Sequence, residues 1–544
     1  MKCTEAIARV LKAEGVEFMT CFPLNPIIDA AAALNIRPLI TRHERVAINI
    51  ADGYSRMTSG HKIGVAAVQY GAGSENAFAG VAQAYGDSTP LLVLAGATES
   101  ASLSIRPNFQ ASRNYRHITK WSETVTDPSR VVQMLQHAFA LLRSGKSGPV
   151  LLEFPSDIMD AEFPGRLDYV PQRRFSPAGN ERDVREMVDR LIAAARPVIV
   201  AGQGVIYAEA WEELKILAEL LQAPVMSSLN GKGAFPENHP LALGTANGFS
   251  RPKMVGHFLG KADLIFGIGT SFTRSKFIAP IPEGKTIIQV TLDESDISKD
   301  YPTSLCVIGD AKAVMAQMIA AVKQSLGGNG RRGEEAVAAE IRAVKDAYLK
   351  EWMPRLTAEE EPISPYRVIG ELMRAVDPHR TVITHDSGCP RDQLVPFYET
   401  VVPHGYIGWG KSTPLGSSLG LIMGAKLARP DWLAVNVMGE AAFGMVGMDF
   451  ETAVRNKIPI LTILLNNGVM GGYTKKQPIA TKLFGIHRLS GRYAMVAEAL
   501  GGYSERIEKS VDLKAALQRA IAVTEAGNPA FLEIITAEEP DFPC

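Results

Sequence analysis

The chain has 544 residues, with 57 Lys and Arg against 58 Asp and Glu and a formal net charge of −1. It shows no basic patch that would argue for nucleic acid or an anionic membrane surface, and no apolar run of the ~18 to 20 residues that a membrane-spanning helix needs. A length beyond what one hydrophobic core organises predicts about three domains. The five cysteines, Cys3, Cys21, Cys306, Cys389 and Cys544, follow no metal-ligand spacing, which points to reduced thiols and a cytoplasmic location. The opening MKCTEAIARVLKAEG patterns as a polar amphipathic helix, not as a secretion signal.

Strand-like apolar runs alternate with helical patterns along the chain. This predicts an α/β protein built from three doubly wound domains of parallel sheet. The first block, residues 1–170, carries Arg42-His43-Glu44-Arg45 ahead of an amphipathic helix and closes on the buried strand GPVLLEFP at 148–155. A polar connection at 170–181 leads to the second block, 182–326, whose strand 197–201 ends in Gly202-Gln203-Gly204. A lone Gly-x-Gly after a strand marks a tight turn more often than a nucleotide site. Residues 327–333 (GGNGRRG) read as a flexible linker before the third block, 362–544. The first and third blocks are candidates for a shared fold.

In the third block, the strand WLAVNVM at 432–438 runs into Gly439-Glu440-Ala441-Ala442-Phe443, where small residues let backbone N–H groups approach phosphate oxygens. A second strand, IPILTILL at 458–465, runs into Asn466-Asn467-Gly468-Val469. Glu440 and Asn467 lie 27 positions apart, about the length of a crossover that returns to a neighbouring parallel strand. Their side-chain oxygens then meet at one sheet edge, where open α/β folds bind ligands. A carboxylate and an amide oxygen beside a phosphate cradle suit Mg²⁺. The same residues also fit a plain βα turn followed by an Asn-Asn-Gly turn.

This pair of motifs resembles the signature of thiamine diphosphate enzymes, and the frames RHERVAINIADGYSRMTSG and GVAAVQYGAGSENAFAGVAQAYGDSTPLLVLAG resemble their acetolactate synthase branch. The resemblance implies a pyrimidine-binding, a central and a diphosphate-binding domain in chain order. It makes Glu44 the group that touches N1′ of the cofactor pyrimidine, and Glu440, Asn467 and the Val469 carbonyl the Mg²⁺ ligands. Leu415, in Thr413-Pro414-Leu415-Gly416, is the candidate for holding the cofactor bent. Asp386, Gly388, Thr413, Gly439, Ala441, Ala442 and Met470 complete the implied cofactor contacts. Gln69, Tyr70, Phe109, Gln110 and Tyr473 are substrate-side candidates, Gln110 and Lys120 match positions that are polar in the synthase branch, and His43 is read as orienting its loop. The implied assembly is a homodimer or homotetramer with its active sites between chains, acting on a small-molecule substrate.

Three departures bear on chemistry. Glu440 stands where Asp is usual, and its extra methylene moves the carboxylate by ~1.5 Å against ligand distances of about 2.0 to 2.1 Å. The loop Cys21-Phe22-Pro23-Leu24-Asn25-Pro26 lacks the usual glycines. Around Lys475-Lys476-Gln477 no tryptophan appears, which puts the standard pyruvate reaction in doubt. The segments 231–236 (GKGAFP) and 287–293 (IIQVTLD) resemble the central domain of the branch, where relatives hold FAD, an ADP moiety or nothing; FAD is not favoured. The chain is expected to be a lyase or transferase acting on a 2-oxoacid or related carbonyl compound. The alternatives are a 2-hydroxyacyl-CoA lyase or oxalyl-CoA decarboxylase type, whose 536–544 tail would order over the site with CoA, and a cofactor-binding protein with little catalysis.

Overall fold

Apolar, β-branched runs bounded by Gly, Pro and polar turns become the strands of three six-stranded sheets. The computed structural model describes residues 1–328, 330–331, 334–539 and 541–543. The first sheet contains β1 (Phe18–Phe22), β2 (Arg37–Ile40), β3 (Gly64–Val68), β4 (Leu91–Ala97), β5 (Trp121–Thr124) and β6 (Val150–Pro155). The second contains β7 (Pro197–Ala201), β8 (Val225–Ser228), β9 (Ala242–Ala246), β10 (Leu264–Ile268), β11 (Thr286–Thr291) and β12 (Leu305–Ile308). The third contains β13 (Thr381–His385), β14 (Tyr406–Ile407), β15 (Leu433–Gly439), β16 (Leu461–Asn466), β17 (Tyr503–Ile507) and β18 (Ala530–Ile535). Neighbouring strands pair in parallel, and helices cover the sheets, as continuous apolar strand patterns require.

Strand order gives the blocks their character. The first sheet runs β2-β1-β3-β4-β6-β5 and the third β14-β13-β15-β16-β18-β17, the same order counted within each block. The central sheet runs β12-β11-β10-β7-β8-β9, the order of dinucleotide-binding folds, with its switch point between β7 and β10.

Helix α1 (Glu44–Met57) is buried along its whole length. Of the segment read as a linker, residues 329, 332 and 333 lie outside the described residues. Within it, Arg331 is anchored, its guanidinium donating to the carbonyls of Leu191, Ile192 and Ala194. The chain then enters the long α2 (Glu334–Leu356). Residues 540 and 544 of the tail also lie outside the described residues.

Helix α3 (Ser417–Ala428) in the third block packs on α1 at backbone distance. A Cβ on Gly53 would stand 2.1 Å from the Leu421 carbonyl oxygen, one on Gly424 2.1 Å from the Ile50 oxygen, and one on Gly420 2.5 Å from the Asn49 Cβ. Gly416 meets Arg45, Gly420 meets Asn49 and Gly424 meets Tyr54, so the two helices run side by side in the same direction. Their N-termini therefore share one end of the molecule.

Because the clash at Gly53 is with backbone, no rotamer relieves it. Gly53→Ala is expected to cost about 3 kcal/mol or more. Gly260→Ala, in the helix Lys253–Lys261 with nothing within 4 Å of its Cβ position, should be neutral or stabilise by up to about 1 kcal/mol. Chemical denaturation of the two variants beside the wild type checks both.

Candidate active site

Strands β15 and β16 are parallel neighbours, with Gly439 in register with Leu465. Glu440, the first residue of α4 (Glu440–Val446), and Asn467 therefore leave the sheet at the same edge. Val469 N–H donates to Glu440 Oε1 at 3.1 Å and to Asn467 Oδ1 at 3.0 Å. One donor thus gathers a carboxylate and an amide oxygen. Burial raises the Glu440 carboxyl to about 7, while the backbone N–H groups of Glu440, Asn467, Gly468 and Val469 pull it down. The longer side chain of Glu440 reaches the loop after the neighbouring strand.

The set fits a hard cation. Among the described residues no group of three or more His, Cys, Asp or Glu could hold a metal. One carboxylate and one amide oxygen leave the other positions of an octahedron to a backbone carbonyl, phosphates and water, as Mg²⁺ prefers. Beside them Gly388 adopts φ +92°, and nothing lies within 4 Å of its Cβ position. Gly439 is nearly as open, with only Pro390 at 3.9 Å. Backbone there can be approached closely, which is what a phosphate cradle needs. The next residue, Cys389, lies against Gly471, and burial raises its thiol to about 11.

Asp386 stands two residues before Gly388. It is fully buried and accepts hydrogen bonds from Ser387 N, Gly416 N, Ser418 N and Ser418 Oγ. Its work is to cap α3 and to hold the Thr413–Gly416 turn, where Gly416 takes φ +90°. Leu415, partly buried, packs on the core shared by α1 and α3.

Glu44 stands at the matching end of α1, 4% exposed. His43 caps the helix, its Nδ1 accepting from Arg45 N at 3.1 Å, and burial lowers the pKa of the ring. A neutral imidazole is what that acceptor role requires. Glu44 lies close to His43, with Nδ1 3.9 Å from Oε2, and to Gly73, whose Cβ position is 3.6 Å from Oε1. Its described neighbours share no residue with those of Glu440.

The substrate-side candidates separate. Tyr70 is 52% exposed beside Gln69, whose carbonyl accepts from Ser74 Oγ. Phe109 packs on the small core around Tyr115, and the Gln110 carbonyl accepts from Asn114 Nδ2 at 2.8 Å. Met470 N donates to the His487 carbonyl and Tyr473 N to the Met470 carbonyl, so these two follow the Glu440–Asn467 edge directly. Lys120 does not belong with them. Its Nζ donates to the carbonyls of Leu141 and Ser144 past the end of a helix, and burial lowers its pKa to about 8.

A second cavity opens at the central switch point. About 1390 Å³ of space, open solvent included, is lined by Gly202 and Gly204 after β7, Gly269 after β10, and by Arg174, Tyr207 and Lys411. The Gly-x-Gly is required by close packing, because a Cβ on Gly202 would stand 2.2 Å from the Gly269 oxygen.

Comparison with known proteins accounts for all three sheets. Residues 1–120 match the thiamine pyrophosphate enzyme N-terminal TPP binding domain, 184–318 its central domain and 386–534 its C-terminal TPP binding domain. The chain belongs to the thiamine pyrophosphate enzyme family. It is 29% identical to a probable acetolactate synthase large subunit of Methanocaldococcus jannaschii, over 98% of this chain and 92% of that protein. It is 29% identical to the acetolactate synthase isozyme 3 large subunit of Escherichia coli, over 97% and 94%, and 27% identical to an Escherichia coli glyoxylate carboligase, over 98% and 93%. This is therefore a thiamine diphosphate-dependent enzyme of the acetolactate synthase-like kind, and the reading as a cofactor-binding protein with little catalysis gives way. Sequence reasoning missed Arg45, buried against Gly416, and Glu533. A lone acid inside the apolar strand AFLEII was the available signal for the second.

The raised Glu440 carboxyl has a consequence in metal-free protein. Between pH 4.5 and about 7 the folded carboxyl holds a proton that the unfolded one releases, so stability falls as pH rises through that window. Relative to Glu440→Gln, the wild type should lose stability across this range and level off above it, as measured by urea denaturation at a series of pH values.

Proposed function

We propose that this enzyme uses thiamine diphosphate with Mg²⁺ to break or form a C–C bond beside the carbonyl of a 2-oxoacid or related compound. The observation that carries the reading is the single Val469 N–H shared by Glu440 and Asn467 at one sheet edge. Glu440, Asn467 and the Val469 carbonyl would hold the metal, and backbone at Gly388, Gly439, Ala441 and Ala442 would face the diphosphate. Bound thiamine diphosphate supplies an electron sink beside the reacting carbonyl. Leu415, on a turn fixed by Asp386, would buttress the cofactor together with Thr413. Glu44, buried at the end of α1, would exchange a proton with the pyrimidine. Met470 and Tyr473, beside the metal edge, and Gln69, Tyr70, Phe109 and Gln110 would face the substrate.

Tyr70, Phe78 and Met445, on the segments that carry these residues, are 52%, 39% and 54% exposed. Apolar side chains left open beside a site support a homodimer or homotetramer in which a second chain covers them. No described helix is long and apolar enough to cross a membrane, and a cytoplasmic location is part of the proposal. The central cavity, at a dinucleotide-type switch point, has room for a nucleotide moiety, which also keeps the CoA-dependent alternative open. Mass spectrometry of small molecules released from purified protein distinguishes FAD, an ADP-containing ligand and neither.

Glu44→Gln is expected to retain cofactor binding and to slow exchange of the cofactor C2 proton by about a hundredfold or more, the lower end of the typical scale for loss of an acid–base group. NMR exchange at the wild-type rate would remove Glu44 from the mechanism. Turnover on a panel of 2-oxoacids and acyl-CoA compounds tests the reaction class. The interface is tested by mixing inactive Glu44→Gln and Asn467→Ala proteins under subunit exchange. With sites built across two chains, a mixed dimer contains one intact site and activity returns; no recovery despite demonstrated exchange means that each site lies within one chain.

A further inference from the structure

The loop that presents Asn467 and Val469 is held from behind by residues that touch neither a ligand nor Glu440. Glu533 on β18 is fully buried. Its Oε1 accepts from Asn466 Nδ2 at 2.8 Å and from Arg506 Nη1 at 2.6 Å, and its Oε2 accepts from Ala494 N at 2.9 Å at the start of α5 (Tyr493–Ala499). Asn466 is held at its other end too, because its Oδ1 accepts from Gly468 N at 3.1 Å. A carboxylate oxygen accepts here, so it turns the Asn466 amide with NH₂ inward and oxygen outward. The outward oxygen draws in Gly468 N–H at the residue with φ +69°. From that turn Val469 N–H is aimed at Glu440 and Asn467.

We propose that Glu533, acting through Asn466, is a positioning residue for the metal edge: it sets the 467–469 turn so that Asn467 and the Val469 carbonyl face the same cation as Glu440. This rests on the Mg²⁺ reading above. The relay extends across neighbouring parallel strands, since β18 pairs with β16 up to Asn466 and Ile535, and it ends on Arg506, which supplies the charge that a buried carboxylate needs.

The test measures how thiamine diphosphate binding depends on Mg²⁺, by calorimetry with the full chain. Asn466→Ala leaves Glu533 bonded to Arg506 and Ala494 and cuts only the relay. Glu533→Gln keeps the shape but places an NH₂ against a donor. Each is expected to raise the Mg²⁺ concentration for half-saturation about tenfold, the lower end for partners behind a metal ligand, with thiamine diphosphate affinity restored at saturating Mg²⁺. The double variant Asn466→Asp with Glu533→Gln reverses the polarity of the pair at constant net charge but sets the Gln NH₂ against Arg506 Nη1, which shares Oε1 in the wild type, and should regain part of the wild-type Mg²⁺ dependence.

A wild-type Mg²⁺ requirement in Asn466→Ala overturns the proposal. So does a loss of cofactor affinity that is equal at every Mg²⁺ concentration, since general loosening of the loop would produce it. If Glu533→Gln fails to fold, Asn466→Ala and the double variant still decide. Wild-type protein that binds thiamine diphosphate with no dependence on Mg²⁺ removes the metal reading itself, and with it the relay; that result is distinct because it appears without any substitution.

Discussion

Where α1 meets α3, Gly53, Gly420 and Gly424 remove the side chains that would hold two helices apart, and backbone rests on backbone. A contact between side chains can be repacked by a change of rotamer, but this one cannot. Its consequence is positional. Glu44 begins α1, the Leu415–Gly416 turn begins α3, and parallel packing puts both at one end. Asp386 then fixes the turn with its own oxygens. The geometry of that end is set by backbone contact, which no surface loop can alter.

Buried charge reinforces the same junction. Arg56 on α1 pairs with Asp52 and Asp87 and donates to the Gly408 carbonyl of the third block. Asp87 also accepts from Lys411 N, and Lys411 lines the central cavity. On the far side of the central block, buried Lys232 is paired with Glu237, which accepts from Thr400 N of the third block. Ions out of water are expensive unless every partner is in place. Networks that span blocks therefore penalise any other arrangement of the three sheets, whatever their net contribution to stability.

The edge that carries Glu440 and Asn467 uses the opposite strategy. Glu440 is buried without a cationic side chain among its causes of shift; only backbone N–H groups favour its charge, and its carboxyl rises to about 7. A carboxylate and an amide oxygen gathered at one N–H, with no cationic side chain beside them, form a set that a divalent cation would suit. The longer side chain of Glu440 reaches across to the loop after the neighbouring strand.

Much of this was determined by the sequence itself. Alternating strand and helix patterns specify parallel α/β blocks because parallel strands are buried on both faces, and the small residues after 438 with Asn-Asn-Gly after 465 mark the strand ends that carry the site. Local pattern does not encode pairing order. The shared order of the first and third sheets, and the dinucleotide-type order of the central one, depend on which strands meet over long separations. Nor does a motif reveal which atoms its residues already satisfy: only the fold shows the oxygens of Asp386 capping α3 and the ammonium of Lys120 on two carbonyls. Glu533 is the converse case, a single acid in an apolar strand whose purpose appears only when folding brings Asn466, Arg506 and Ala494 around it. Sequence sets what each segment can form, and tertiary structure decides which polar atoms remain to be used, because hydrogen-bond partners distant in the chain are chosen only by packing.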